Sequence, residues 1–107
     1  MTQDPQHQVL KVLQHAPTSA ALQRARNNAM NLRRDAPEVD IHIVVNAEAV
    51  AAALDQAHAE ADAFTWVCPN TLARLNKESR APLRVLDRAA ILELVRLQQD
   101  GWIYIRS

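Results

Sequence analysis

The chain has one cysteine and one glycine in 107 residues, no excess of either charge, and no apolar run near the roughly 20 residues that a bilayer crossing needs. Each scarcity excludes something. A lone cysteine cannot close an internal disulfide, and nothing else points to an oxidising compartment. Cys68 is therefore a buried structural thiol or a reactive one. A formal net charge of zero builds no field that would gather nucleic acid or an anionic membrane, so neither is expected as a partner. Met1 to His7 is polar and carries no signal-peptide core, which makes a soluble cytoplasmic protein the expectation. The chain contains no G-x-G-x-x-G, no Walker lysine loop, no G-x-S-x-G and no paired-carboxylate motif, which disfavours nucleotide binding and hydrolysis.

What is present is enough for one modest core: 49% of the residues are hydrophobic, over the length of a single domain. The expected organisation is a flexible tail at residues 1–7 and one domain at residues 8–107, with no repeat, linker or low-complexity tract. Val9, Leu10, Val12 and Leu13 predict a first strand from Gln8 to Gln14, stopped by Ala16-Pro17-Thr18. Leu22, Ala25, Ala29 and Leu32 recur at helical spacing from Ser19 to Arg34, with Thr18 or Ser19 as the cap. Val39 to Val45 reads as a buried strand, and Ala47 to about His58 as an Ala-rich helix with a thin apolar face. A third strand from Ala63 to Val67 runs into Cys68, followed by a short helix from Leu72 to Lys77. Leu83 to Leu86 predicts a fourth strand, Arg88 to Gln99 a helix capped by Asp87 and stopped by Gly101, and Trp102 to Ile105 the last strand. Strands alternating with helices imply an α/β fold, a mostly parallel five-stranded sheet and helices on both faces.

In such a sheet the ligand crevice lies outside the carboxyl ends of the strands, where this reading puts Cys68. Asn70 or Thr71 can cap the helix that follows, so unpaired N–H groups and the positive end of a helix dipole favour the thiolate. The plainer alternative is a small hydrophobe continuing the run Phe64, Trp66, Val67. Position alone does not separate the two. His15 and Asn46 follow the first and second strands and can face the same crevice, as a proton shuttle and a hydrogen-bond donor, although loop capping or solvation weighs more for each. His42 lies within a strand, His7 in the tail and His58 at a helix end, and none has metal-site spacing with Cys68, so neither a metal nor another cofactor is expected. Arg24, Arg26, Arg33 and Arg34 read as a solvated face of the first helix. Trp102 and Tyr104 should lie on one side of the last strand and Ile103 and Ile105 on the other; on an edge strand, one of these sets could sit under a neighbouring subunit.

Cys68-Pro69-Asn70-Thr71-Leu72 after an apolar strand, together with the tail from Glu93 to Arg106 (ELVRLQQDGWIYIR), resembles the DsrE-like family of small intracellular sulfur-metabolism proteins. The helix from Leu22 to Leu32, with Asn27-Asn28, also fits, so the likeness runs along most of the chain. It implies a three-layer α/β/α fold, flavodoxin-like in general architecture, assembly into trimers or hexamers, and a cysteine that carries sulfane sulfur as a persulfide, here matched by Cys68. The chain departs from the pattern where relatives carry glycine: it has Asn46-Ala47-Glu48 after the second strand and Pro69 after the cysteine, which makes close backbone approach to a ligand harder.

The leading expectation is a sulfur-relay protein using Cys68 thiolate without a cofactor, a sulfurtransferase-like carrier, with donor and acceptor proteins as partners and Asn70 and Thr71 N–H groups as stabilisers. The alternative is a non-catalytic oligomeric module that binds a small ligand or a partner protein, with Cys68 merely packed. A redox sensor shares the reactive thiol but answers to oxidant. A homo-oligomer is expected in either of the first two cases, because a small domain leaves apolar surface to cover.

Overall fold

A computed structural model describes residues 9–107; the tail expected at residues 1–7, with His7, lies outside the described residues. β1 (Lys11–Ala16), β2 (Asp40–Val45), β3 (Thr65–Val67), β4 (Arg84–Val85) and β5 (Ile103–Arg106) form one sheet in the order β4-β3-β2-β1-β5, and every pairing is parallel. Four helices complete an α/β fold: α1 (Ser19–Asp35), α2 (Glu48–Asp55), α3 (Pro69–Leu75) and α4 (Ala90–Gln99). The strand order follows from the crossovers. Three of them step from β1 outward to β4, and the fourth returns over the sheet to set β5 beside β1. Crossovers of one hand then put α1, α2 and α3 on one face and α4 on the other.

The two faces have separate cores. On the first, Ile41, Ile43, Val45 and Val67 pack against Leu22, Ala25, Val50 and Leu72. The thin apolar face expected of α2 buries completely, with Ala49, Val50 and Ala53 all inaccessible, because alanines on α1 and α2 let the helices approach closely. Gln14 points into this layer and is satisfied there: its amide donates to the Ala25 carbonyl at 3.1 Å and its oxygen accepts from the Ser107 hydroxyl at 3.1 Å. On the second face, among the described residues, α4 alone covers the sheet, through Ala90, Leu94 and Leu97 against Leu13 and Val44. His42 stacks on Trp66 there, ring centroids 3.7 Å apart, beside Trp102. Burial holds the His42 imidazole below its ordinary pKa, against the pull of Asp40.

Local chemistry explains where the elements begin and end. Thr18 caps α1, its hydroxyl accepting from the Ala21 N–H at 3.0 Å. β1 begins at Lys11 and ends at Ala16, three residues later at its start and two at its end than expected: the ladder starts where Asp40 of β2 provides a partner, and His15 belongs to the strand's end. α2 stops at Asp55 because guanidinium groups take its last carbonyls, Arg80 reaching Ala53 at 2.7 Å and Leu54 at 3.2 Å, and Arg26 reaching Gln56 at 2.7 Å. The same two arginines hold Asp62 at 2.9 and 3.3 Å, and the His58 N–H donates to that carboxylate at 3.0 Å. Arg26 is thus 3% exposed rather than solvated, and the segment Ala61–Phe64 is a 3₁₀ turn, which shortens β3 to three residues. Gly101, at φ +94°, ends α4 in the left-handed region as expected.

Candidate functional site

β3 hands the chain to α3 at Cys68, whose N–H still donates to the Val45 carbonyl at 3.1 Å. Proline at the first helical position starts α3 immediately, so Cys68 itself is the N-cap residue, with extended backbone. Asn70 and Thr71 therefore lie inside the first turn instead of capping it. Asp87 does not cap α4 either: that helix starts at Ala90 after Ala89, and no side chain caps it. First-turn N–H groups of both helices are left for another acceptor.

Cys68 lies at the meeting of these two helix starts. The connections after β1, β2 and β3 lead to one face of the sheet and the connection after β4 leads to the other, so the connections of neighbouring strands part between β3 and β4. Crevices open at such points. Here one of about 210 Å³ is walled by Cys68 and Thr71 on one side, Ala89 and Ala90 on the other, with Asn46, Asn70 and Arg74 supplying its polar side chains. Burial pushes the Cys68 thiol up, but hydrogen bonds from the N–H of Ala90, the N–H and hydroxyl of Thr71 and the N–H of Asn70 outweigh it, and the pKa lies below the ordinary thiol value. The Thr71 hydroxyl accepts from the Ala47 N–H at 3.3 Å, which leaves its own proton for the sulfur. Cys68 is 5% exposed, so access is through the crevice alone.

Asn46 lines the crevice as expected; His15 reaches it only through Asn46. The His15 Nε2 is 3.0 Å from Asn46 Oδ1, and its Nδ1 is 2.7 Å from the Tyr104 hydroxyl. His42 lies at the opposite end of β2, and His58 accepts from the Ala61 N–H at 3.0 Å, a turn-closing role.

The sequence reading missed Arg74, Tyr104 and Ala47. Arg74 follows Asn70 by four residues, so a helix started at Pro69 puts both on one face, and proline at the first helical position was the available signal. Tyr104 pairs with Leu13 across the sheet, which required the β1–β5 register. Ala47 adopts φ +49° and ψ −135°, a conformation that glycine takes freely and alanine does not. No family model and no curated protein matches the chain.

Proposed function

We propose that the chain is a sulfur-relay protein of the DsrE-like kind, in which Cys68 accepts sulfane sulfur from a donor and passes it on as a persulfide. The observation that carries this reading is the place of the sulfur: Cys68 is the N-cap residue of α3 and walls a crevice that the start of α4 closes on the other side, and the N–H groups of Asn70, Thr71 and Ala90 with the Thr71 hydroxyl hold its pKa down despite burial. A thiolate is the form that attacks a sulfur–sulfur bond, and the same donors stabilise the terminal anion of a persulfide. The stretch from Cys68 to Leu72 and the C-terminal tail add the family resemblance. The protein acts as a carrier without classical turnover, in the cytoplasm, between a donor and an acceptor thiol. No helix among the described residues is long and apolar enough to cross a membrane.

Assembly into a homo-oligomer belongs to this reading. Apolar side chains stay exposed on the edge strand β5, where Ile103 is 52% accessible, and in the first turn of α4, where Ile91 at the crevice is 66% accessible.

The test is intact-mass spectrometry of the native protein before and after exposure to inorganic polysulfide, with peptide mapping. One or more sulfur atoms should add to Cys68 and none to Cys68→Ser, which should fold normally. Equal sulfur gain in the variant would refute the proposal. One observation favours a second reading, a binding module with a packed cysteine: the thiol is 95% inaccessible. In that case native Cys68 resists alkylation and reacts only on unfolding.

A further inference from the structure

Among the described residues, none of the side chains that line the crevice is a carboxylate. Arg74 brings a guanidinium and has no ion-pair partner among the described residues. Asn46 can present either end of its carboxamide to a ligand, and its neighbours decide which. Its Oδ1 faces His15 Nε2 at 3.0 Å, and a carbonyl oxygen only accepts, so Nε2 must carry the proton. His15 Nδ1 lies 2.7 Å from the Tyr104 hydroxyl, a contact that fixes the ring against Asn46. His15 therefore donates to Asn46, and the NH₂ of this crevice-lining residue is left without an acceptor among the described residues.

Resting on the sulfur-relay reading, we propose that Tyr104 and His15 are positioning residues that turn the Asn46 carboxamide, and that its NH₂ together with Arg74 makes the crevice select sulfur donors whose sulfane sulfur is attached to an anionic oxygen group. Thiosulfate represents the class. The Cys68 thiolate attacks its outer sulfur, a new S–S bond forms, the old one breaks, and the electron pair leaves with sulfite. Cys68 ends as a persulfide anion; charge balances, and no oxidant or reductant is consumed. The developing charge on the leaving sulfite falls where Asn46 and Arg74 donate.

A matched pair of thiol reagents reads this selection: iodoacetate carries a carboxylate and iodoacetamide is its neutral analogue. The ratio of their rates at Cys68 should rise about tenfold from unfolded to native protein, the size of one charge-assisted hydrogen bond. Asn46→Asp keeps an acceptor for His15 but exchanges the free donor for a charge; it should return the ratio to the unfolded value or below, slowing iodoacetate more than iodoacetamide. His15→Phe and Tyr104→Phe should shift the ratio in the same direction by less. A merely structural role would change both rates together, and that result, or a native ratio equal to the unfolded one, would overturn the proposal.

A second measurement separates this inference from the relay itself. Titrating ¹⁵N-labelled Cys68→Ser with thiosulfate should move the Asn46 side-chain NH₂ signals and the Thr71 and Ala90 amides saturably, and Asn46→Asp in that background should abolish the shifts. Unmoved signals overturn anion selection even if wild-type Cys68 loads sulfur from polysulfide. Saturable shifts with no sulfur gain on the wild type uphold anion selection and refute the relay.

Discussion

Two polar sites bracket the three residues of β3, and they are built in opposite ways. Before the strand, Asp62 is 3% exposed and meets two guanidinium groups and a backbone N–H, while those guanidinium groups also satisfy the carbonyls at the end of α2. The charges close on one another. After the strand, the crevice gathers donors around one sulfur and holds no carboxylate. A buried carboxylate closed in by two cations and an N–H fixes geometry, whereas donors left without an acceptor stabilise an anion, here a thiolate and, in the proposed cycle, a persulfide. The first site joins α1, α2 and the segment before β4, so it sets the frame in which the second can leave its donors unsatisfied.

The comparison breaks first at Asp62. Asp62→Ala leaves Arg26 and part of Arg80 buried without a counter-charge, and chemical denaturation should show a loss of about 3–5 kcal/mol. A loss under about 1 kcal/mol would mean that the cluster is solvated like a surface pair.

At the other site Thr71→Val removes one donor to the sulfur and the acceptor of the Ala47 N–H. It should cost about 1–2 kcal/mol of stability. The pH midpoint of native Cys68 alkylation should also rise, and an unmoved midpoint would remove Thr71 from the account.

Ala47→Gly relieves the left-handed backbone at the crevice wall and should stabilise the fold by about 1 kcal/mol.

The smallest effect is a linkage. Because the Cys68 pKa is lower folded than unfolded, the unfolded chain holds the proton over the interval between the two values. Wild type should gain stability relative to Cys68→Ser as pH rises through that interval, level off above the ordinary thiol pKa, and lose the gain as pH falls through the folded value. A difference independent of pH would contradict the lowered pKa.

The alternation of strands and helices was legible because each element carries its own period: α1 was placed to within one residue at its end, and the cysteine was put at the carboxyl edge of the sheet. The environment of the cysteine was only partly legible. Which helix starts would face it depends on the strand order, since Ala90 follows Cys68 by 22 positions and meets it only because α4 crosses to the other face. The fate of Arg26 was equally hidden. On the helix it sits next to Ala25, and only the arrival of Asp62 and the Gln56 carbonyl turns a solvated arginine into a buried one. Proline at position 69 was the one local signal passed over, and it moved the start of α3 by three residues.

The central claim is that a thiol with 5% exposure is nevertheless the working atom. Its most direct test is the rate of Cys68 alkylation by iodoacetamide in the native protein across a pH series, with the unfolded protein as reference. The account predicts native modification through the crevice, with a titration midpoint below that of the unfolded chain. A thiol silent in the native state at every pH and reactive only after unfolding would contradict it, leaving Cys68 as part of the core.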